Sequence, residues 1–221
     1  MTRELFSRIL TSFVLFLIIY LMFIDNFLLI IFLSIIFIIS YHEFYHLIIL
    51  IKKNLKLNYF NFIFYNILSF FYLFFFTIIV YSSLIRENNE KILIFFILFI
   101  CILTDIGGIF FGKLIGGKKL TKISPNKTIA GSIGGFILSL LSLLIFLTHT
   151  SNYSLLNLSI LVIITSFFSQ IGDLIVSFLK RNAKVKDTGK ILPGHGGLLD
   201  RIDGILLGLP AGIIIYNFIT F

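Results

Sequence analysis

Seven long apolar runs, separated only by short polar segments, constrain this 221-residue chain more than any other feature. They occupy roughly 9–24, 27–51, 59–85, 92–112, 129–147, 153–179 and 203–221. A membrane-spanning helix needs about 20 such residues, with about 17–25 usual. The first run is short and the third is long, so the expected count is seven within a range of six to eight. The expected fold class is all-α, a polytopic integral membrane helical bundle. Composition agrees: 58% of residues are hydrophobic and only 13% charged, against about half and about a quarter in soluble domains. A disordered chain, a fibrous repeat and an ordinary cytosolic enzyme are excluded.

Charge orients the bundle. Lys and Arg total 18 against 10 acids. If the N-terminus is cytoplasmic, sixteen of those bases fall in inner segments and only Arg86 and Lys91 fall outside. Cytoplasmic loops retain bases in this way, so the basic balance reads as topology and contact with membrane lipid, not nucleic acid. Cys101 is the only cysteine, which leaves no intrachain disulfide and no Cys-based zinc site. The start, Met1 to Arg8 before an apolar run, looks like a signal peptide but lacks a small-x-small cleavage site before Asp25. It is read as a retained anchor. The expected organisation is one membrane domain, with N-terminal helices in 1–90 and the chemistry in 91–221. Gly108-x-x-x-Gly112 and Gly131-x-x-x-Gly135 would let helices approach closely.

The acids locate that chemistry. Asp105 and Asp173 lie inside apolar runs, where a carboxylate costs about 2.5–3.5 kcal/mol on insertion scales and needs a cation, a partner or a wet cavity. The plain alternative is an Asp paired with a Lys for helix packing. Asp200 and Asp203 open the last run three residues apart, so both sit on one helix face. Hard oxygen ligands there suit Mg²⁺ with substrate phosphates. Just before them, Pro193-Gly-His-Gly-Gly197 offers backbone N–H groups to an anion. Lys180, Arg181, Lys184, Lys186 and Lys190 supply cations for phosphate oxygens. Ser124, Lys127 and Thr128 precede a helix start and could hold an anion there. Together these parts suit phosphoryl or nucleotidyl transfer at the inner membrane surface.

The residues resemble a family. Ser177-Phe-Leu-Lys-Arg181, Lys186-Asp187, Gly189, Leu192-Pro193, His195-Gly-Gly197 and Asp200-Arg-Ile-Asp203 are similar to the signature of phosphatidate cytidylyltransferases, the CDP-diacylglycerol synthases. Asp105 with Phe111-Gly112, Ser124-Pro125 with Lys127-Thr128, and Gly172-Asp173 are similar to flanking pieces. The resemblance covers about 100–210. Asn126, Ile129-Ala130, Ile109 and Lys113 depart from residues common in the family.

The resemblance implies that CTP and phosphatidic acid give CDP-diacylglycerol and pyrophosphate, for phospholipid biosynthesis at the cytoplasmic face of the inner membrane. It implies Mg²⁺, with K⁺ as a candidate second cation, and a homodimer. Asp173 and Asp200 would hold the metal with Asp203, and with Asp105 as a further candidate. Asp173, Asp200, Asp203, Lys186 and Asp187 are the expected catalytic set, Asp187 orienting a lysine. Ser124, Lys127, Thr128, Lys180, Arg181, His195, Gly196, Gly197 and Arg201 are the expected substrate-binding set.

Rival readings remain at this point. A CTP-dependent cytidylyltransferase or kinase acting on an isoprenoid lipid differs mainly in its lipid tail, which apolar spans read with little pattern. His42-Glu-Phe-Tyr-His46 fits H-E-x-x-H, so His42, Glu43 and His46 are candidate zinc-protease residues that would need a third ligand. A channel or transporter using Asp105 and Asp173 leaves the 177–203 segment unexplained. The Phe-rich third run is read as lipid-facing.

Overall fold

The computed structural model describes residues 3–85, 88–121, 124–146, 154–192 and 196–219. Among the described residues eight helices follow one another: α1 (Arg3–Ile24), α2 (Asn26–Leu55), α3 (Tyr59–Ile85), α4 (Asn88–Ile115), α5 (Ile129–Leu140), α6 (Ser142–Phe146), α7 (Leu155–Ala183) and α8 (Leu199–Ile219). In lipid a helix satisfies its own backbone, which is why apolar runs of this length adopt no other form. A helix covers the described part of each of the seven runs, and the fifth breaks after Leu140 into α5 and α6. Six segments are long and apolar enough to cross a membrane among the described residues: α2, α3, α4 from Lys91, Ile129–Phe146, α7 and α8. The chain is a polytopic helical membrane protein.

Polar residues at the run ends set the helix boundaries. Asp25 caps α2, its Oδ1 accepting the N–H of Phe27 at 2.6 Å and of Leu28 at 3.2 Å. Lys52 and Lys53 occupy the last turn of α2, and Lys56 closes it in the left-handed region at φ 52°. Thr128 caps α5 by accepting the N–H of Gly131 at 3.0 Å.

The residues cluster into two compact units. One comprises Met1–Arg86 and Leu179–Ile202; the other comprises Glu87–Phe178 and Asp203–Phe221. The segment 179–202 therefore groups with the N-terminal helices, a placement that a division into 1–90 and 91–221 does not carry. In the first unit α2 packs on α1 and α3, burying Leu29, Leu33, Leu47 and Ile51. Its outward face is apolar too: Phe60, Phe64, Phe71, Phe74 and Phe75 of α3 are exposed, as lipid-facing side chains must be.

In the second unit, small residues bring helix backbones together. A Cβ on Gly131 of α5 would lie 2.6 Å from the carbonyl oxygen of Gly108 on α4, and one on Gly107 would lie 2.6 Å from that of Gly134. A second small stripe runs along α8. A Cβ on Gly204 would lie 2.6 Å from Ser169 Oγ, on Gly208 2.7 Å from Cys101 Sγ, and on Gly212 2.7 Å from Thr165 Oγ1. This stripe seats α8 against α7 and α4, and so sets where the acids of those helices fall.

Candidate active site

The polar residues of the 177–203 stretch and its flanks form two groups, one in each unit. The first is built on Asp200, in the opening turn of α8. Lys180 Nζ, in the last turn of α7, donates to Asp200 Oδ1 at 2.7 Å. Asp200 Oδ2 accepts the N–H of Thr188 at 2.8 Å and of Gly197 at 3.1 Å. The Asp200 side chain is only 7% exposed. Its charge is thus compensated by one lysine and by N–H groups around a helix start.

Two glycines make this approach possible. Gly196 has φ +85°, a conformation that disfavours any side chain. At Gly197 a Cβ would run into Thr188 Oγ1, and would lie 2.6 Å from Glu43 Oε2 and 2.7 Å from the Gly189 nitrogen. Around this core Arg181, Lys186, Asp187, Lys190 and Arg201 are exposed. Pro193 and His195 lie outside the described residues.

The second group is built on Asp173 of α7. Lys127 forms an ion pair with its Oδ2, and Ser177 Oγ lies 3.4 Å from its Oδ1. Asp105 of α4 is within electrostatic reach of both Asp173 and Lys127. Asp105 Oδ1 is also 3.5 Å from where a Cβ on Gly204 would stand. Asp203 Oδ1 accepts the N–H of Gly204 at 2.9 Å. Lys127 is placed by its loop: Leu120 N–H donates to the Lys127 carbonyl at 2.8 Å, and Ile129 N–H to that of Lys118 at 3.0 Å. Ser124 is buried, and its carbonyl accepts the Lys127 N–H at 3.0 Å, closing a turn.

Several expectations take a different form here. Thr128 spends its hydroxyl oxygen on capping α5. Asp173 is paired with a lysine, as the plain alternative had it, but Lys127 lies in the loop before α5 and not on a packed helix, and Asp105 is within electrostatic reach of both. Among the described residues no three His, Cys, Asp or Glu side chains are gathered to hold a metal ion. His42 and His46 are exposed, and among the described residues no third His, Cys, Asp or Glu joins them in a group that could hold a metal ion. Glu43 is instead buried at 2% exposure and bonded to the segment around Asp200, a contact the sequence reading did not anticipate.

The chain's similarity to known proteins covers both groups. A profile of the cytidylyltransferase family matches residues 47–219. The chain belongs to the cytidylyltransferase family. Among curated members, a phosphatidate cytidylyltransferase of Staphylococcus saprophyticus is 48% identical over 119 residues, which is 53% of this chain and 46% of that protein. Those of Staphylococcus haemolyticus and Staphylococcus aureus are each 50% identical, over 110 and 112 residues, covering 49% of this chain and 42% of their own. The chain thus spans about half the length of the curated relatives it matches. Glu43 falls outside the family-matched residues.

Proposed function

We propose that this cytidylyltransferase-family chain joins CTP to phosphatidic acid, giving CDP-diacylglycerol and pyrophosphate at the cytoplasmic membrane surface. The carrying observation is the group around Asp200. Residues expected to handle phosphate are organised at the head of α8, in a stretch shared with the family. The relatives' names support the choice of substrates.

The chemistry needs little from the protein beyond position and charge. Phosphatidate is a phosphomonoester already ionised at neutral pH, so its oxygen attacks the α-phosphorus of CTP without a side-chain base. A P–O bond forms there while the bond to the β-phosphate breaks, and pyrophosphate departs with that electron pair. Two polyanions must meet, and cations offset their repulsion. Lys180, Arg181, Lys186 and Arg201 bind phosphate oxygens in this account, Lys and Arg donors being suited to them. The acyl chains stay in the bilayer, which places the reaction at the interface.

Mg²⁺ is held by one or two carboxylates plus substrate phosphates, not by an all-protein cage. Asp173, paired with Lys127, and Asp105, within electrostatic reach of both, would supply such donors without a third protein ligand. Asp203 is a further candidate in the same unit, and Asp200 a separate candidate ligand in the other. An ion bound by these residues would neutralise negative charge on the reacting phosphates. K⁺ as a second cation and a homodimeric assembly belong to the same reading. The test supplies purified chain in nanodiscs with labelled CTP and either phosphatidate or a polyprenyl phosphate. A labelled CDP-lipid from phosphatidate supports the proposal. Product from the isoprenoid phosphate alone moves the chain to that substrate, and turnover with neither overturns the reading.

A further inference from the structure

We propose that Glu43 of α2 is a positioning residue for the opening of α8, holding Thr188, Leu198 and Leu199 from outside the family-matched region. α8 begins at Leu199, and Leu198 before it has no side-chain acceptor. The first N–H groups of a helix have no intrahelical partner, and a Ser, Thr, Asp or Asn at the cap normally supplies one. Here a residue 155 positions away does so. Glu43 Oε1 accepts the N–H of Leu198 at 2.9 Å, and Oε2 that of Leu199 at 2.9 Å. The carboxylate thereby meets the positive end of the helix.

Thr188 ties this contact to Asp200. Its hydroxyl lies 2.7 Å from Glu43 Oε2 and 3.1 Å from Asp200 Oδ2. A hydroxyl has one proton, and the shorter distance assigns it to Glu43. The Thr188 N–H goes to Asp200 at 2.8 Å. Thr188 is thus held from two sides by two carboxylates. Gly189 and Gly197 complete the fit: a Cβ on the first would lie 2.5 Å from Glu43 Oε1, and on the second 2.6 Å from Oε2. Gly189 and Gly197 leave the room that a carboxylate delivered by α2 occupies. Glu43 and Asp200 thus hold Thr188 and the start of α8 jointly.

The kinetic part of this proposal rests on the cytidylyl-transfer reading; the structural part does not. The test compares wild-type chain with Glu43→Gln in nanodiscs, following amide exchange at Leu198 and Leu199 together with kcat and KM for CTP. Gln keeps the shape but turns an N–H donor towards other donors. Exchange at both amides is expected to quicken about tenfold or more. The value of kcat is expected to fall about 100-fold, as for a 1 Å misplacement, with KM for CTP within about threefold. His42→Ala, at the exposed neighbour, matches wild type in all three. If Glu43→Gln does not fold, Thr188→Val reads the same contact, with kcat lowered about tenfold at unchanged KM. Wild-type exchange in Glu43→Gln, or wild-type kcat in Thr188→Val, overturns the proposal. A wild-type chain that makes no CDP-lipid sinks the substrate reading alone, since amide exchange still decides the role of Glu43.

Discussion

Replacing Gly197 with alanine adds one methyl group at the most crowded point of the Asp200 group. That Cβ would lie 2.6 Å from Glu43 Oε2 and 2.7 Å from the Gly189 nitrogen, and would overlap Thr188 Oγ1. Ordinary contact begins at 3.4 Å, so the shortfall at Glu43 is about 0.8 Å. The Gly189 nitrogen is backbone and cannot swing aside. Glu43 can yield only by loosening its bonds to Leu198, Leu199 and Thr188. Overpacking costs about 1–3 kcal/mol, and one lost hydrogen bond to a charged group about 1.5–3. Together that is roughly 3–6 kcal/mol of local destabilisation. A shift near 1 Å at reacting groups lowers rate about 100-fold. The assay is CDP-lipid formation at saturating CTP, with Gly108→Ala as the control. At Gly108 the added Cβ meets only the Gly131 carbonyl oxygen at 3.9 Å, so that variant keeps wild-type turnover. Gly197→Ala within threefold of wild type would refute the reasoning.

Three further outcomes follow from the same geometry. Asp173→Asn is expected to lower turnover about 10²–10³-fold, the scale of losing one electrostatic group, while the protein still inserts; near-normal rates would remove Asp173 from the site. Chelation of Mg²⁺ is expected to abolish CDP-lipid formation and its restoration to recover it; full activity in excess chelator contradicts the role given to Asp105 and Asp173. Zinc analysis of purified chain is expected to find none in stoichiometric amount, and a bound zinc lost in His42→Ala would revive the protease reading.

The helices were legible in the sequence because lipid leaves the backbone few options: a run of about 20 apolar residues is a helix whatever surrounds it. The break between α5 and α6 was not, since Ser139 and Ser142 beside it do not by themselves interrupt an apolar run. The Gly108 and Gly131 spacings announced close helix approach, and α4 and α5 meet there. The equal spacing of Gly204, Gly208 and Gly212 is the same signal, one that the neighbouring Asp203 obscures. Lys127 and Thr128 were seen only as anion ligands, although Thr before a helix is first of all a cap. Glu43 was missed for a more basic reason. Its partners at 188, 198 and 199 are about 150 residues distant, and a contact of that separation leaves no local pattern. The one cue was an acid inside an apolar run, which needs a partner somewhere.

The account stands or falls on where CTP is attacked. Supply the chain with phosphatidate, Mg²⁺ and CTP labelled at the α- or the γ-phosphate in parallel. Attack at the α-phosphorus predicts α-label in the lipid and γ-label in released pyrophosphate. Lipid carrying the γ-label would mean phosphoryl transfer, and would contradict the cytidylyl-transfer mechanism directly.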